Sequence, residues 1–461
     1  MEAFFTGALT PLVELLSAVI FFDIAGFPLI VLWLMVAALF FTVYLRVVNF
    51  RLLPHAFSLL RAKRAQAHSS GEVSQVQALL SAISATVGLG SLAGVAVAVA
   101  VGGPGAVFWI VLMGLFGMAS KFAEVTLSLQ YRKIDADGKV LGGPTQYLKD
   151  GFAELGYPAL GKALAVLFAI LCLGGGIGGG NMFQSNQVVK IMVNEMPFLT
   201  GNEWIVAALF ASIVGLVLFG SIKRIARVAE MVAPAKGIVY LICALIILAV
   251  NIEQVPQALG LMLSSAFDGS AAAGGFMGML IIAFRRALFA NEAGLGSAPI
   301  AHAAAKVNEP VREGSLALLE PLFAAFIALL TGLIVTVTGA YEGASLEDAI
   351  LITSKAFASV GDWFTIALAV NVLLFAYGTT IGWSYYCEIA WTYLFGRKRI
   401  KAYYLLFTFT CFVGGVVKFG LVMDLADLLI LGMALPNIIA LYALRGKIRA
   451  AMDAYIVKHK L

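Results

Sequence analysis

Long apolar segments follow one another along almost the whole chain, and their lengths restrict the folds open to it. A helix needs about 20 mostly apolar residues to cross a bilayer. Of the 461 residues, 61% are hydrophobic and 12% are charged, whereas soluble domains carry about 25% charged residues. The apolar runs are continuous, unlike the alternating strands of a membrane β-barrel. The chain is therefore predicted to be an all-α integral membrane protein.

The apolar runs divide into eleven predicted transmembrane helices, preceded by a surface helix over residues 1–20. The predicted spans are 26–47, 76–100, 104–131, 160–194, 203–220, 232–250, 270–289, 314–339, 362–394, 402–420 and 424–444. Basic residues are concentrated in alternate connections, and such connections tend to stay in the cytoplasm. The N-terminus is therefore predicted outside and the C-terminus in the cytoplasm. The basic connections include Arg61 and Lys63, Arg132 and Lys133, Lys223 and Arg224, Arg285 and Arg286, and Arg397 and Lys398.

Without the first span, ten spans remain and form two sets of five. Because five is odd, the second set has inverted topology, as in many secondary transporters. The symmetry is inferred from this topology, since no residue-level internal repeat is convincing. The predicted parts are a surface helix, first span and basic loop (1–70), a first repeat (71–250), a second, inverted repeat (251–445) and a short basic cytoplasmic tail (446–461).

The second span is interrupted by small and polar residues, which are Thr86, Gly88, Gly90, Ser91 and Gly94. Glycine destabilises a helix interior, and non-helical backbone in a membrane must be buried in protein or line a cavity. The pattern predicts a broken helix whose bare amides attract a carboxylate and whose carbonyls attract a cation. Close packing of a neighbouring helix on Gly90 and Gly94 is the alternative.

Inverted symmetry predicts a second broken helix at the start of the second repeat. The chain from Asp268 to Gly278 is rich in glycine at the matching place. Gly274 and Gly275 are therefore predicted to lie in that break and to bind substrate.

A polar cluster follows the glycine run 174–180 inside the fourth span. Asn181, Gln184, Ser185 and Asn186 fall within two turns of a helix. Amides in a membrane need hydrogen-bond partners, so these residues either join helices or face a polar ligand. Gln184 is the best ligand candidate.

Thr379 and Thr380 lie next to each other in the ninth span, after Gly378. Threonine hydroxyls and backbone carbonyls are oxygen ligands suited to an alkali cation. The alternative is that each hydroxyl bonds a carbonyl of its own helix four residues back.

Charged residues within the spans are candidates for function. Lys121 and Glu124 are three residues apart and are predicted to pair with each other. Glu320 and Glu388 remain open as proton sites or structural anchors. No metalloprotease, P-loop or hydrolase motif occurs, and no basic aromatic surface suggests nucleic acid. The chain is not predicted to be an enzyme.

Several segments together resemble the alanine or glycine:cation symporter family. They are residues 88–96, 102–109 with 117–124, 142–147, 181–184, 288–299 and 382–386. The resemblance implies a LeuT-like core of ten helices after one extra helix, and sodium-coupled uptake of alanine or glycine. Ser91 stands where the family usually has Asn, and Gly378 stands where Ser or Thr is common.

The predicted function is symport of a small neutral amino acid with a cation, sodium, by alternating access. The alternative is a proton-coupled or sodium-coupled transporter of another small zwitterion or organic solute. The predicted substrate-binding residues are Thr86, Gly88, Gly90, Ser91, Phe183, Gln184, Gly274, Gly275 and Trp383. Of these, Phe183 and Trp383 would enclose a small side chain.

Sodium, the coupling ion, is predicted to bind carbonyls of Ala85 and Gly88 and hydroxyls of Thr379 and Thr380. No other cofactor is predicted. The expected partners are an amino acid and the lipid bilayer, and the expected location is a bacterial inner membrane. The sequence leaves the oligomeric state open, with a monomer as the working expectation.

Overall fold

The computed structural model describes residues 10, 11, 14, 17, 20–24, 26–61, 70–134, 139–219, 222–268 and 274–461, without the side chains of 222–226. The predicted surface helix over residues 1–20 lies mostly outside the described residues. Two short antiparallel hairpins pair Asp23–Ile24 (β1) with Phe27–Pro28 (β2), and Lys133–Ile134 (β3) with Val140–Leu141 (β4). Nearly everything else in the described residues is helical.

The helices of the first half include one long rod, α8 with α9, which a π-helical turn over Gly178–Met182 interrupts. The helices are α1 (Leu29–Tyr44), α2 (Val48–Arg51), α3 (Leu53–Arg61), α4 (Gln75–Thr86), α5 (Ala93–Gly102), α6 (Ala106–Tyr131), α7 (Pro144–Glu154), α8 (Pro158–Ile177), α9 (Phe183–Glu195), α10 (Glu203–Leu218) and α11 (Ile222–Val250).

The helices of the second half follow a comparable order. They are α12 (Val255–Asp268), α13 (Gly275–Asn291), α14 (Ala298–Ala303), α15 (Pro310–Ala317), α16 (Leu319–Val337), α17 (Ile350–Ala358), α18 (Thr365–Phe395), α19 (Ile400–Val416), α20 (Phe419–Gly432), α21 (Ala434–Ala443) and α22 (Arg445–His459). Short 3-10 turns cover Leu89–Ser91, Pro197–Leu199, Ile252–Gln254, Leu346–Asp348, Asp362–Phe364 and Arg397–Arg399.

Among the described residues, six helical stretches are long and apolar enough to cross a membrane, and two bent helix pairs raise that number to eight. The bent pairs are α1 with α2–α3, at 61°, and α4 with the chain from Leu89 to Gly102, at 54°. The chain is thus a multi-pass membrane protein. The number of eleven spans stays a prediction.

Two breaks divide helices at related places in the fold. The first break separates α4 from α5, and the second separates α13 from α14. In the first half, the broken helix is followed by the long helix α6 and then by the short helix α7. In the second half, the broken helix is followed by α15 with the long helix α16, and then by the short helix α17. The division into two five-helix repeats stays a prediction.

The second break is not at the predicted glycines. Gly274 and Gly275 lie at the N-terminal end of α13, exposed and with positive φ angles of 81° and 65°. The break follows Asn291 at the other end of this 17-residue helix, about 25 Å away at about 1.5 Å per residue. The prediction that these two glycines form the break was therefore wrong, because they begin the helix.

Helix packing brings both breaks to the middle of the bundle. Helix α4 packs between α11 and α18, and α13 packs against α5 and α6. Small residues allow close approach elsewhere too: a Cβ on Gly114 would lie 2.8 Å from the Ala325 Cβ. Tight helix contacts of this kind supply most of the attraction between helices in lipid.

Candidate substrate and cation site

The first break begins where α4 ends at Thr86. Gly88 has extended backbone angles, φ −106° and ψ −161°, and a 3-10 turn over Leu89–Ser91 follows before α5. The Leu89 amide donates to Gln184 Oε1 at 3.2 Å, and Gln184 Nε2 donates to the Gly179 carbonyl at 2.9 Å. Gln184 therefore ties the unwound segment to the π-helical turn.

Two glycines of the first break touch neighbouring side chains so closely that no larger residue fits. A Cβ on Gly88 would lie 2.6 Å from Thr379 Oγ1, and a Cβ on Gly90 would lie 2.5 Å from Phe289 Cδ1. The predicted break and close packing on Gly90 are both present. Gly94 is less crowded, since its added Cβ would meet only Arg286 Cδ, at 3.5 Å.

The second break runs from Glu292 to Ser297. Glu292 has a left-handed backbone conformation with φ 53°, as do Gly294 and Gly296 with φ 86° and 83°. The Glu292 carboxylate is buried and accepts from Trp383 Nε1 at 3.0 Å and from Ser297 Oγ at 2.5 Å. A buried carboxylate with two donors holds this unwound segment against α18.

Two buried side chains bind the carbonyls of the second break. Lys121 Nζ donates to the Glu292 carbonyl at 3.0 Å, and Asn437 Nδ2 donates to the Gly294 carbonyl at 2.8 Å. Lys121 forms its ion pair with Glu320, at 3.7 Å, while Glu124 accepts from Asn437 at 3.0 Å. The predicted pairing of Lys121 with Glu124 was wrong, because the second break and α16 supply nearer partners.

Glu320 is completely buried and belongs to a chain of polar contacts. Its Oε1 bonds His302 Nε2, and His302 Nδ1 lies 2.7 Å from Glu313 Oε1. Gln75 Nε2 then donates to Glu313 Oε2 at 2.7 Å. These contacts join the start of α4 to α14, α15 and α16.

Aromatic side chains connect the two breaks. Phe289, in the last turn before the second break, is the ring that Gly90 of the first break touches. Phe183 packs edge-on against Phe289 with ring centroids 5.1 Å apart. Trp383 lies against Gly180, where a Cβ would be 2.3 Å from its Cγ. The structure thus brings Gly88, Gly90, Phe183, Gln184 and Trp383 together around the breaks.

The Thr379 hydroxyl crosses to the first break. It donates to the Ser84 carbonyl at 3.0 Å, instead of to its own helix. The Thr380 hydroxyl is buried and has no hydrogen-bond partner within the part of the chain that the structure describes. Ala85, also predicted to bind the cation, packs tightly on α18, since a Cβ on Gly382 would lie 2.7 Å from the Ala85 Cβ.

A lysine that the sequence analysis did not single out lies at the same place. Lys236 Nζ donates to the Ser84 carbonyl at 2.8 Å and to the Val87 carbonyl at 2.6 Å. A lysine inside the apolar run 232–250 is the sequence signal that could have revealed it.

The polar side chains of the fourth span make two kinds of contact. Asn181 Nδ2 donates to the Phe407 carbonyl at 2.7 Å, and Asn186 Nδ2 donates to the Val417 carbonyl at 2.8 Å. These two residues therefore join α9 and its π-helical turn to α19 and its end. Gln184 alone among the amides reaches the first break.

Arg286 is another position where the structure differs from the sequence analysis. Arg286 belongs to α13, and its buried side chain forms an ion pair with Asp427 of α20. From the sequence it was predicted to lie in a cytoplasmic connection. Its guanidinium also lies 5.6 Å from the centre of the Phe289 ring. Arg286 and Asp427 therefore close one side of the aromatic region.

The polar groups around the breaks are suited to a small zwitterion and an alkali cation. Four buried hydroxyl oxygens near the first break have no hydrogen-bond partner among the described residues, and they are those of Ser84, Thr86, Ser91 and Thr380. Within the described residues, no group of three or more His, Cys, Asp or Glu side chains could hold a metal ion. The polar groups at the breaks are hydroxyls, carbonyls, amides and the Glu292 carboxylate.

Comparisons with known proteins identify the family and the fold of the chain. A family model described as the sodium:alanine symporter family matches residues 12–461. The sodium/alanine symporter AgcS of Methanococcus maripaludis is 36% identical over 435 residues, which cover 93% of this chain and 94% of the relative. The probable sodium/glutamine symporter GlnT of Bacillus subtilis is 33% identical over 441 residues, covering 95% of this chain and 90% of the relative.

Among solved structures, the crystal structure of MhsT in complex with L-phenylalanine is similar, with a TM-score of 0.58 and 14% identity. The matched region covers 84% of this chain and 99% of the MhsT chain. MhsT is a LeuT-fold transporter, and the likeness confirms the predicted LeuT-like fold. The family match over residues 12–461, together with the 36% identical relative, shows that this chain belongs to the sodium:alanine symporter family.

Proposed function

We propose that this protein is a symporter that moves a small neutral amino acid together with sodium, by alternating access. The observation that supports this most is the meeting of two broken helices at one buried place, where Phe289 touches Gly90. Broken helices at mid-membrane are where such transporters bind substrate and ions. The family match supports sodium as the coupling ion.

The substrate carboxylate is proposed to bind amides of the first break near Gly88, Gly90 and Ser91. Amides at the start of a half-helix attract negative charge. The Thr86 and Ser91 hydroxyls are buried and bond no other described residue, so they are further donors for the carboxylate. Gln184 already holds the Leu89 amide, so it acts mainly by fixing the shape of this segment.

The substrate ammonium is proposed to bind carbonyls of the breaks, and the buried Glu292 carboxylate lies among them. Phe183, Phe289 and Trp383 would surround the substrate side chain. The Phe289 ring packs directly on Gly90, and the Trp383 ring packs directly on Gly180. This close packing favours a substrate with a small side chain, such as alanine or glycine.

The coupling sodium is proposed to bind at the end of α4, with carbonyls near Ala85 and Gly88 and the hydroxyls of Thr379 and Thr380. The unpartnered Thr380 oxygen and the Thr379 contact to Ser84 support this place. One charge that crosses the membrane gains about 2.3 kcal/mol per 100 mV, and the sodium gradient adds to that. One sodium ion per cycle thus suffices for substantial accumulation.

The protein is proposed to lie in a cell membrane with its N-terminus outside and its C-terminus in the cytoplasm. The basic connections and the basic residues of α22 support this orientation. Lys and Arg near span ends remain mostly on the cytoplasmic side.

Equilibrium binding to the purified protein tests the substrate assignment. Radiolabelled alanine, glycine, serine and glutamine would each be measured with sodium and with choline in its place. We expect saturable binding of alanine or glycine that tightens with sodium, because linked ligands raise each other's affinity by the same factor. Binding of none of these amino acids, or binding indifferent to sodium, would contradict the proposal.

A further inference from the structure

Lys236 is a buried lysine within the apolar helix α11. Its side chain is 1% exposed, and no carboxylate among the described residues forms an ion pair with it. A buried charge is costly in a membrane protein, and such a residue is a candidate for function. Its hydrogen-bond partners are the carbonyls of Ser84 and Val87, at 2.8 and 2.6 Å.

These two carbonyls lie at the end of α4, where the helix leaves its last C=O groups without partners inside the helix. The same end carries the negative pole of the helix dipole. Thr379 Oγ1 lies 3.0 Å from the Ser84 carbonyl. The ammonium of Lys236 therefore stands where the coupling sodium is proposed to bind.

The surrounding residues accommodate the ammonium in this position. A Cβ on Gly378 would lie 2.8 Å from Ser84 Oγ and 3.4 Å from Lys236 Nζ. Glycine at this position keeps the space around the ammonium open. Lys236 Nζ also lies 5.1 Å from the centre of the Phe375 ring, whose face attracts a cation.

A groove beside Lys236 offers the ammonium mainly apolar surroundings. This groove has a volume of about 320 Å³ and is lined mainly by apolar side chains that include Leu80, Ile83 and Phe326. Moving the charged group into such surroundings costs free energy. The carbonyls at the end of α4 are thus the favoured position of the ammonium.

We propose that the Lys236 ammonium and the coupling sodium ion exclude each other at the Ser84 and Val87 carbonyls. Sodium binds there only after the ammonium has left. Because the ammonium is tethered, it competes at an effective concentration of at least about millimolar. The inference deepens the proposed function, on which it rests, by naming a residue that sets sodium affinity.

Equilibrium binding of radioactive sodium to the purified full chain tests this exclusion. Lys236→Met and Lys236→Gln both remove the charge while keeping a long side chain. We expect the half-saturating sodium concentration to fall about tenfold or more in both variants, with Lys236→Arg close to the wild type. Lys190→Gln is the matched control: the Lys190 ammonium also bonds a carbonyl, that of Glu347, but at an exposed position.

A second substitution shows where the gained sodium binds. In the Lys236→Met background, Thr379→Ala should reverse most of the gain, because it removes a hydroxyl beside the Ser84 carbonyl. Equal half-saturating sodium in the wild type, Lys236→Met and Lys236→Gln would overturn the exclusion. Alanine binding on the same samples separates the two proposals: without sodium-linked alanine binding in the wild type, the proposed function itself fails.

Discussion

At the residue scale, the first break depends on glycines that touch side chains of other helices. Gly88→Ala would place a Cβ 2.6 Å from Thr379 Oγ1, and overpacking of this kind costs about 1–3 kcal/mol. We expect alanine affinity in sodium to fall about tenfold or more. Gly94→Ala is the control, because its Cβ meets only Arg286 Cδ at 3.5 Å. Equal affinities for both variants would contradict a site at Gly88.

Trp383 allows a second test at this scale. Trp383→Phe removes the N–H that donates to buried Glu292, which costs about 1–3 kcal/mol of stability, and it also changes the wall of the proposed pocket. Trp109→Phe is the matched control. Trp109 Nε1 also donates to an oxygen atom, the Ala266 carbonyl, at a distance of 2.7 Å, but this contact lies away from the breaks. We expect both variants to melt at lower temperature, but only Trp383→Phe to weaken alanine binding. Alanine binding unchanged in Trp383→Phe would remove Trp383 from the pocket.

Single residues differed in how well the sequence revealed them. Gln184 was identified because a polar cluster inside an apolar span needs partners, and the structure places it on the Leu89 amide. Lys236 and Glu292 escaped notice, since their meaning depends on which distant carbonyls and donors surround them. Contacts across 149 residues, such as Lys236 with Val87, leave no local pattern in the chain.

At the element scale, the second break is a stretch of left-handed backbone with little space around it. Gly296→Ala would combine φ 83° with a Cβ 2.7 Å from Pro144 Cγ. Gly396→Ala has a similar φ of 75° and nothing within 4 Å, so it should cost about 1–3 kcal/mol from backbone strain alone. We expect a distinctly larger loss of thermal stability for Gly296→Ala. Equal losses of thermal stability in the two variants would contradict tight packing around Gly296 in the second break.

The sequence predicted the first break correctly and misplaced the second. The first break has glycine and polar residues in the middle of one apolar run, which is a local signal. Residues 291–297 instead follow the end of an apolar run and resemble an ordinary loop. Only the packing of α14 beside α4 and α6 shows that this stretch lies inside the bundle.

At the scale of the whole molecule, the proposed orientation can be tested by labelling. The four native cysteines are buried, so background reaction with a membrane-impermeant maleimide should be low. Phe198 is 76% exposed and Val457 is 79% exposed, which makes Phe198→Cys and Val457→Cys a matched pair. In intact cells we expect only Phe198→Cys to react, with Val457→Cys reacting after lysis. The reverse pattern would invert the proposed topology.

Fold class and family were accessible from the sequence because span length, loop charge and short motifs are local properties. The bent geometry of α4 with α5, 54° between the halves, required three-dimensional structure. It arises from side chains of α9, α11 and α18 that hold the unwound backbone.

The most direct test of the proposed symport is uptake of radiolabelled alanine by liposomes that contain the purified protein. An inward sodium gradient should drive transient accumulation of alanine above the external concentration, with saturation at high alanine and loss of accumulation when choline replaces sodium. A proton gradient alone should drive none. Accumulation driven only by protons, or alanine flux that never saturates and never exceeds equilibration, would contradict sodium-coupled symport through the site at the two breaks.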